Sequence, residues 1–399
     1  MHIRQGNDAE LAQAIADMKA GKVGGLITYN VDPVYNLAAS ADFTAAIKNL
    51  KLSVSMSVQN DDTANATLYS LPMTHFLESW GDVMMSEGHY GLMQPTIQKL
   101  FNTAQFQEVL LKWSGNSASY HDYLKGYWSS NVLEGQSWNQ ALHDGFFKKE
   151  VTGTATKASV DISAAATAAT SALRTTANTS AFELNLYSST ALGDGKQANN
   201  PWLQEFPDPI TRAAWDNYLT VSKKDADALG FTNPIKDNGA INGNYAKISV
   251  GGVIIENVPV LIQPGQASGT VGLALGYGRK TNLKDDMQVG VNAFALYANG
   301  NNVQYGVSIE KTSGPVHKFA CTQVQKTIAG RHDILKETTL KDFLHVDPKD
   351  HKNGWNVPAM VSYDHQEVEA KSIDLWDEHN REVGHHFNLS IDLNSCTGC

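Results

Sequence analysis

Gly24-Gly25-Leu26-Ile27-Thr28-Tyr29, followed by Asn30-Val31-Asp32-Pro33, is an apolar run bounded by glycines and a turn, and it reads as a buried strand. A helix precedes it. Asn7 or Asp8 can cap that helix, Leu11, Ile15 and Met18 form one apolar face, and Gly21 stops it. Downstream, Ser40 can cap a second helix in which Phe43, Ala46, Ile47 and Leu50 follow the 3.6-residue period. Leu52, Val54, Met56 and Val58 then alternate with polar residues, as a strand requires. A strand, a helix and a strand in this order predict a parallel sheet with covering helices. Thr67 to Leu71 adds a candidate strand, and Thr103 to Trp113 a helix with Phe106, Leu110 and Trp113 on one side.

Between Thr152 and Ser180 the composition shifts to Ala, Thr and Ser with almost no large apolar residue, which predicts a linker or a weak exposed helix. Beyond it, strand signals dominate: Phe182 to Leu186, Tyr218 to Val221, Tyr245 to Val250, Val253 to Ile262, Val289 to Leu296 and Val303 to Ile309. One helix, Lys223 to Leu229, interrupts the series and ends at Gly230. A β-barrel with a small helix suits this pattern better than a sandwich. Thr322 to Asn394 is richer in charge and histidine and poorer in periodicity, and reads as an extended connector.

The 399 residues exceed the roughly 250–300 that one core usually supports, so more than one domain is expected. Apolar residues make up 42% and charged residues 18%, as in ordinary globular proteins. Thirty-one basic against forty-one acidic side chains leave a formal charge of −10, which argues against binding nucleic acid or an anionic membrane surface. No apolar run approaches the roughly 20 residues of a spanning helix, so membrane association is expected to go through partners. The first residues lack the basic, apolar and small-residue segments of a signal peptide, and the chain reads as an internal piece.

Several local patterns resemble chemical motifs. Gly276-Tyr277-Gly278-Arg279-Lys280-Thr281 approaches a phosphate loop, but Arg279 interrupts the required ending and no βαβ helix follows. His385-His386, with His379 and His365 upstream, lack a spaced carboxylate and read as solvent-facing or interface side chains rather than metal ligands. Cys321, beside Phe319 and Ala320, reads as a small buried side chain. Neither a Gly-x-Ser-x-Gly elbow nor a His-Glu-x-x-His helix occurs. Cys396 and Cys399 are spaced so that two thiolates can face one metal centre, a pattern shared by iron–sulfur sites, zinc knuckles and redox dithiols.

Longer words carry a resemblance. Ser390 to Cys399, with the lead-in Lys371-Ser372-Ile373-Asp374-Leu375-Trp376 and Gly384-His385-His386-Phe387, is similar to the approach to the cluster domain of the molybdopterin-oxidoreductase-like iron–sulfur subunit of alternative complex III, a quinol-oxidising respiratory complex. Asn199 to Pro209, Trp215-Asp216-Asn217-Tyr218 and Pro264 to Arg279 resemble that family's barrel. Asp32-Pro33-Val34-Tyr35-Asn36, Leu77 to Asp82 and Leu92 to Ile97 resemble its α/β domain. The likeness implies a dinucleotide-binding-like parallel α/β domain over 1–151, a linker over 152–180, a double-psi β-barrel over 181–321, a connector over 322–394 and the start of a truncated ferredoxin-like domain over 395–399.

It further implies an electron-transfer and scaffold subunit on the periplasmic side of the membrane, partnered by cytochrome c subunits and integral-membrane quinol-binding subunits. Cys396 and Cys399 would be thiolate ligands of an iron–sulfur cluster whose other ligands lie beyond this sequence. The alternatives are a catalytic molybdopterin-dependent oxidoreductase and a non-catalytic interaction module. Molybdopterin is expected to be absent: Asn30-Val31-Asp32-Pro33 stands where active relatives carry Gly-x-Asn-Pro, and Asp61-Asp62-Thr63 where they carry Asp-Glu-Thr. An ionised Asp32 facing the pocket would repel a pyrophosphate.

Overall fold

Asn7 caps the first helix, α1 (Asp8–Lys19), by accepting the Glu10 N–H at 3.1 Å. Strand β1 (Gly25–Tyr29) follows, then the single turn α2 (Pro33–Asn36), α3 (Ser40–Ile47), β2 (Leu52–Ser57), α4 (Asp62–Ala66) and β3 (Tyr69–Pro72). All three strands are parallel, in the order β1-β2-β3, with Ile27 opposite Val54 and Ser55 opposite Ser70. The computed structural model describes residues 7–150, 162–175, 182–236, 240–298, 301–322, 338–345, 358–376, 382–385, 387 and 389–392.

Three local expectations change. β1 is an edge strand rather than a buried one, with Ile27 and Tyr29 exposed. The central strand is β2, and its alternation misleads because Ser53, Ser55 and Ser57 are as buried as Val54 and Met56. Small serines let covering segments approach the polar side of the pleat. Ser40 does not cap α3; it is the first helical residue, and Ala39 precedes it without a side-chain bond. Phe43, Ala46 and Ile47 are buried as expected, against Ile15 and Met18 of α1.

A second, antiparallel sheet is built from β4 (Gly81–Ser86), β5 (His89–Met93) and β6 (Phe146–Lys148). Between β5 and β6 run α5 (Phe106–Trp113), α6 (Tyr120–Asn131) and α7 (Trp138–Asp144). Trp128, Leu124, Leu133 and Trp138 form the core beneath this sheet. In α5 the inward side chains are Phe106, Val109 and Leu111, whereas Leu110 and Trp113 lie exposed, so the face expected from Phe106, Leu110 and Trp113 is only partly inward. Helix α8 (Ile162–Thr175) falls in the Ala/Thr/Ser stretch, and its described side chains are exposed.

The barrel begins with β7 (Phe182–Ser188). It is followed by α9 (Pro201–Gln204), β8 (Ala213–Ala214), β9 (Leu219–Val221), α10 (Lys223–Leu229), β10 (Ile241–Gly243), β11 (Tyr245–Val250), β12 (Val253–Ile262), β13 (Thr270–Leu275), β14 (Val303–Lys311) and β15 (His317–Cys321). Six of these strands close in the order β11-β12-β9-β13-β7-β14. Two neighbouring pairs, β12 with β9 and β13 with β7, are parallel, and the rest antiparallel. Leu184, Leu186, Leu219, Ile248, Val260 and Leu273 are fully buried inside the barrel. α10 ends, as the sequence predicts, at Gly230, which lies in the left-handed region at φ +75°; its N-cap is Ser222, whose side chain accepts the Asp225 N–H.

Val289–Leu296 is not a strand. Gly290 has φ +74°, and Ala293–Leu296 winds into a 3-10 turn capped by Asn292. The Asn217 side chain takes the place of a neighbouring strand: its Oδ1 accepts the Val291 N–H at 2.8 Å, and its Nδ2 donates to the Val291 carbonyl at 2.9 Å and the Ala274 carbonyl at 2.8 Å. A strand absent from the sequence-based set is β13, Thr270–Leu275, which runs directly into the Gly276–Thr281 segment that resembles a phosphate loop.

The chain divides into two units, Met1–Val324 and Gln325–Cys399. In the second, where a connector is expected, the described elements are α11 (Leu340–His345) and an antiparallel hairpin of β16 (Met360–Tyr363) and β17 (Gln366–Glu369). Asp364 and His365 both have positive φ, as a two-residue hairpin turn needs. Among the described residues, no helix is long and apolar enough to cross a membrane.

Candidate functional site: a crevice at the carboxyl ends of the parallel strands

In an open parallel sheet the strand carboxyl ends all face one edge, where the loops diverge and leave a crevice. Here β1 leads into Tyr29 to Asp32, β2 into Ser57 to Asp61, and β3 into Met73 to His75, and all three segments line one cavity of about 630 Å³. That volume suits a small organic ligand. The far wall comes from β4 and β5 through Asp82, Val83 and Leu92, with Trp80 just before β4 and Gln105 and Phe106 at the start of α5. The barrel closes the remaining side with Asp194, Lys196, Gln197 and Arg279.

Asp32 sits at this junction and is only 6% exposed. Its Oδ1 accepts from the Thr63 N–H at 3.0 Å and the Thr63 hydroxyl at 2.7 Å, while Oδ2 lies 2.6 Å from Arg279 Nη1. The same guanidinium is 3.5 Å from Asp62 Oδ2 and stacks 3.7 Å from the centroid of the Tyr35 ring. The Asp32 carboxylate is therefore ion-paired rather than presented as free negative charge to the crevice, which corrects the expectation of an unscreened Asp32.

Around this pair the α/β layer and the barrel share side chains. Tyr35 of α2 belongs to the barrel core, meets Phe294 edge-on at 5.4 Å and donates its hydroxyl to the Tyr277 carbonyl at 2.7 Å. Asn292 Nδ2 donates to the Tyr35 carbonyl at 2.9 Å, and Lys196 Nζ to the Asn30 carbonyl at 2.7 Å. Thr281 and Asn282 add hydrogen bonds to Asp62 and to the Asn60 carbonyl. Burial pulls the Lys196 ammonium below its ordinary range, opposed by the nearby Asp194 and Asp61 charges. Burial raises the Asp61 carboxyl, and the charge of Asp32 raises it further, against the lowering pull of the Ala64 N–H and Ser57 hydroxyl that it accepts.

The glycine run from β13 to Thr281 serves this packing and holds no phosphate loop. A Cβ on Gly278, at φ +75°, would lie 2.2 Å from the Asn292 nitrogen. The backbones approach too closely for any other residue. Sequence reading passed over Arg279 except as a flaw in a motif, and passed over Lys196 altogether. The one available signal was the length of the Pro264 to Arg279 word.

Cys396 and Cys399, the sequence-based ligand candidates, lie outside the described residues, as do His379 and His386. His365 and His385 are exposed. Among the described residues no group of three or more His, Cys, Asp or Glu side chains is placed to hold a metal ion. Cys321 is half-buried at the end of β15, and burial raises its thiol, as befits a structural side chain.

A bound pterin dinucleotide would bring phosphates that need free cations or unpaired N–H groups. The crevice offers Arg279, whose Nη1 is already paired with Asp32 and Asp62 and whose Nε, though without a hydrogen-bond partner among the described residues, is fully buried, and Lys196, already bonded to Asn30 and flanked by Asp194. Asp61, Asp82 and Asp194 also line it. These residues do not fit an anionic dinucleotide.

No protein-family model matches the chain, and no curated protein does. Among solved structures it is similar to acetylene hydratase from Pelobacter acetylenicus, at 11% identity and a TM-score of 0.48, over 75% of this chain and 46% of that one. The chain thus spans a little under half the length of that protein.

Proposed function

We propose that this chain is an electron-transfer and scaffold subunit of a membrane-associated quinol:electron-acceptor oxidoreductase of the alternative complex III type, whose pterin-like crevice no longer takes a pterin. The observation that carries the loss of cofactor is the pairing of Arg279 with Asp32. The guanidinium best placed to meet a phosphate at the strand ends is neutralised from within, and its partner carboxylate is fully occupied. The respiratory assignment itself rests on the resemblance of the Asn199–Pro209, Pro264–Arg279 and Ser390–Cys399 words. The mixed barrel, with its two parallel pairs, supports the double-psi reading.

In this reading the α/β layer and the barrel are a rigid body on which cytochrome c and quinol-site subunits assemble. Cys396 and Cys399 begin the cluster-binding segment that relays electrons. The test is purification of the native complex from membranes of molybdate-supplemented cells, followed by elemental analysis and subunit identification. Iron without molybdenum, with c-type cytochromes in the same particle, is the expected result. Near-stoichiometric molybdenum with extractable pterin would overturn the scaffold reading in favour of a catalytic molybdenum enzyme.

A further inference from the structure

The crevice that does not suit an anion has the lining of a site for an organic cation. Three of its carboxylates, Asp61, Asp82 and Asp194, make no direct ion pair with its Arg279 or Lys196: Arg279 is taken up by Asp32 and Asp62, and the Lys196 ammonium, though it feels the charges of Asp194 and Asp61, bonds a carbonyl oxygen. Each accepts hydrogen bonds from neutral protein groups, Asp61 from the Ala64 N–H and Ser57 hydroxyl, Asp82 from the Trp128 indole and Asp194 from the Lys196 backbone N–H, so its charge is not cancelled there. Aromatic rings line the same cavity. Tyr29 and Phe106 stack with centroids 4.1 Å apart and planes 12° apart, making a flat platform, and Tyr29 remains 43% exposed. Trp80 also lines the cavity, with its ring centroid 6.4 Å from that of Trp138.

Ring faces and carboxylates present potential of the same sign, so together they attract a cation and repel an anion. The protein already satisfies one cation in this manner beside the crevice, where the Arg279 guanidinium lies over the Tyr35 ring and against Asp32. The cavity of about 630 Å³ has room for a ligand of several rings.

We propose that the crevice binds a flat organic monocation, heteroaromatic or quaternary-ammonium in type, with its body on the Tyr29–Phe106 platform and its charge met by Asp61, Asp82 and Asp194. This goes beyond the scaffold reading and fails separately from it, because molybdenum content tests one and cation affinity the other.

The experiment is isothermal titration of the full chain with N-methylacridinium, a flat monocation, and with acridine carboxylate, an anion of similar size. The cation should bind, and the anion should bind at least about tenfold more weakly. Added salt should weaken the cation complex. Asp61→Asn, which retains a helix-capping oxygen, and Tyr29→Leu, on an exposed edge, should each reduce cation affinity about tenfold. Circular dichroism melts of both variants verify that they are folded. Binding of the anion as tight as that of the cation, binding of neither, or an affinity unmoved by both substitutions in folded protein would overturn the proposal.

Discussion

Asp32 illustrates how a charged side chain changes meaning with its neighbours. Taken alone after a strand, it is negative charge at a binding site. Beside Arg279, it is half of a buried ion pair with side chains 7% and 11% exposed. Breaking such a pair leaves an uncompensated charge, so Arg279→Met should cost about 3–5 kcal/mol in urea unfolding. Adding Asp32→Asn to it should recover a large part of that loss. A cost below about 1 kcal/mol for Arg279→Met would mean that solvent screens the pair as it does at a surface. Asp61 responds to pH in the opposite sense from a stabilised carboxylate. Its folded pKa is raised above the ordinary 3.8, so its stabilising contribution is complete below the unfolded value and is lost as pH rises through the folded one. Asp61→Asn should therefore be more stable than the wild type at neutral pH, and the difference should vanish as the pH falls toward the unfolded value. Thermal melts across that range measure it.

The segment Val289–Leu296 shows why an apolar run is not always a strand. Its hydrophobic side chains are buried, as the pattern demands, with Phe294 and Leu296 in the barrel core. Its backbone, however, bonds at Val291 to a side chain 74 positions upstream, that of Asn217, rather than to a strand. Asn217 is 1% exposed and makes three hydrogen bonds to main-chain atoms. At about 1 kcal/mol for each bond, Asn217→Ala should lower stability by about 3 kcal/mol. Asn217→Asp, which keeps the acceptor but not the donor, should not restore it. Chemical denaturation of the two variants checks both statements, and an alanine variant as stable as the wild type would show that the segment holds its turn without help.

Across the first unit, the α/β layer and the barrel are joined by side chains that interlock: Tyr35 in the barrel core, Arg279 on Asp32, Lys196 on Asn30 and Asn292 on Tyr35. The covalent connection between them runs through a stretch with few large apolar residues and an exposed helix, α8. Little burial opposes backbone entropy there. Limited proteolysis should cut first between Thr152 and Ser180, and the two fragments should then elute together in gel filtration. Separation of the fragments under native conditions would show that the interlocking contacts are too weak to hold them, and first cleavage within Tyr245 to Leu275 would place the boundary elsewhere.

Periodicity and punctuation determined α1, α3, the parallel β1-β2-β3 succession, α10 with its Gly230 stop, and a barrel over a sandwich. Each of these depends on spacing within a dozen residues, and apolar spacing reports directly which face is buried. Tertiary structure alone decided that β1 is an edge, that serines line the buried side of β2, and that β13 lies in a glycine run. Burial at those positions is set by what approaches from elsewhere in the chain. The crevice was decided in the same way. Asp32 and Arg279 stand 247 positions apart, and no local pattern carries information about which distant charge will neutralise a carboxylate.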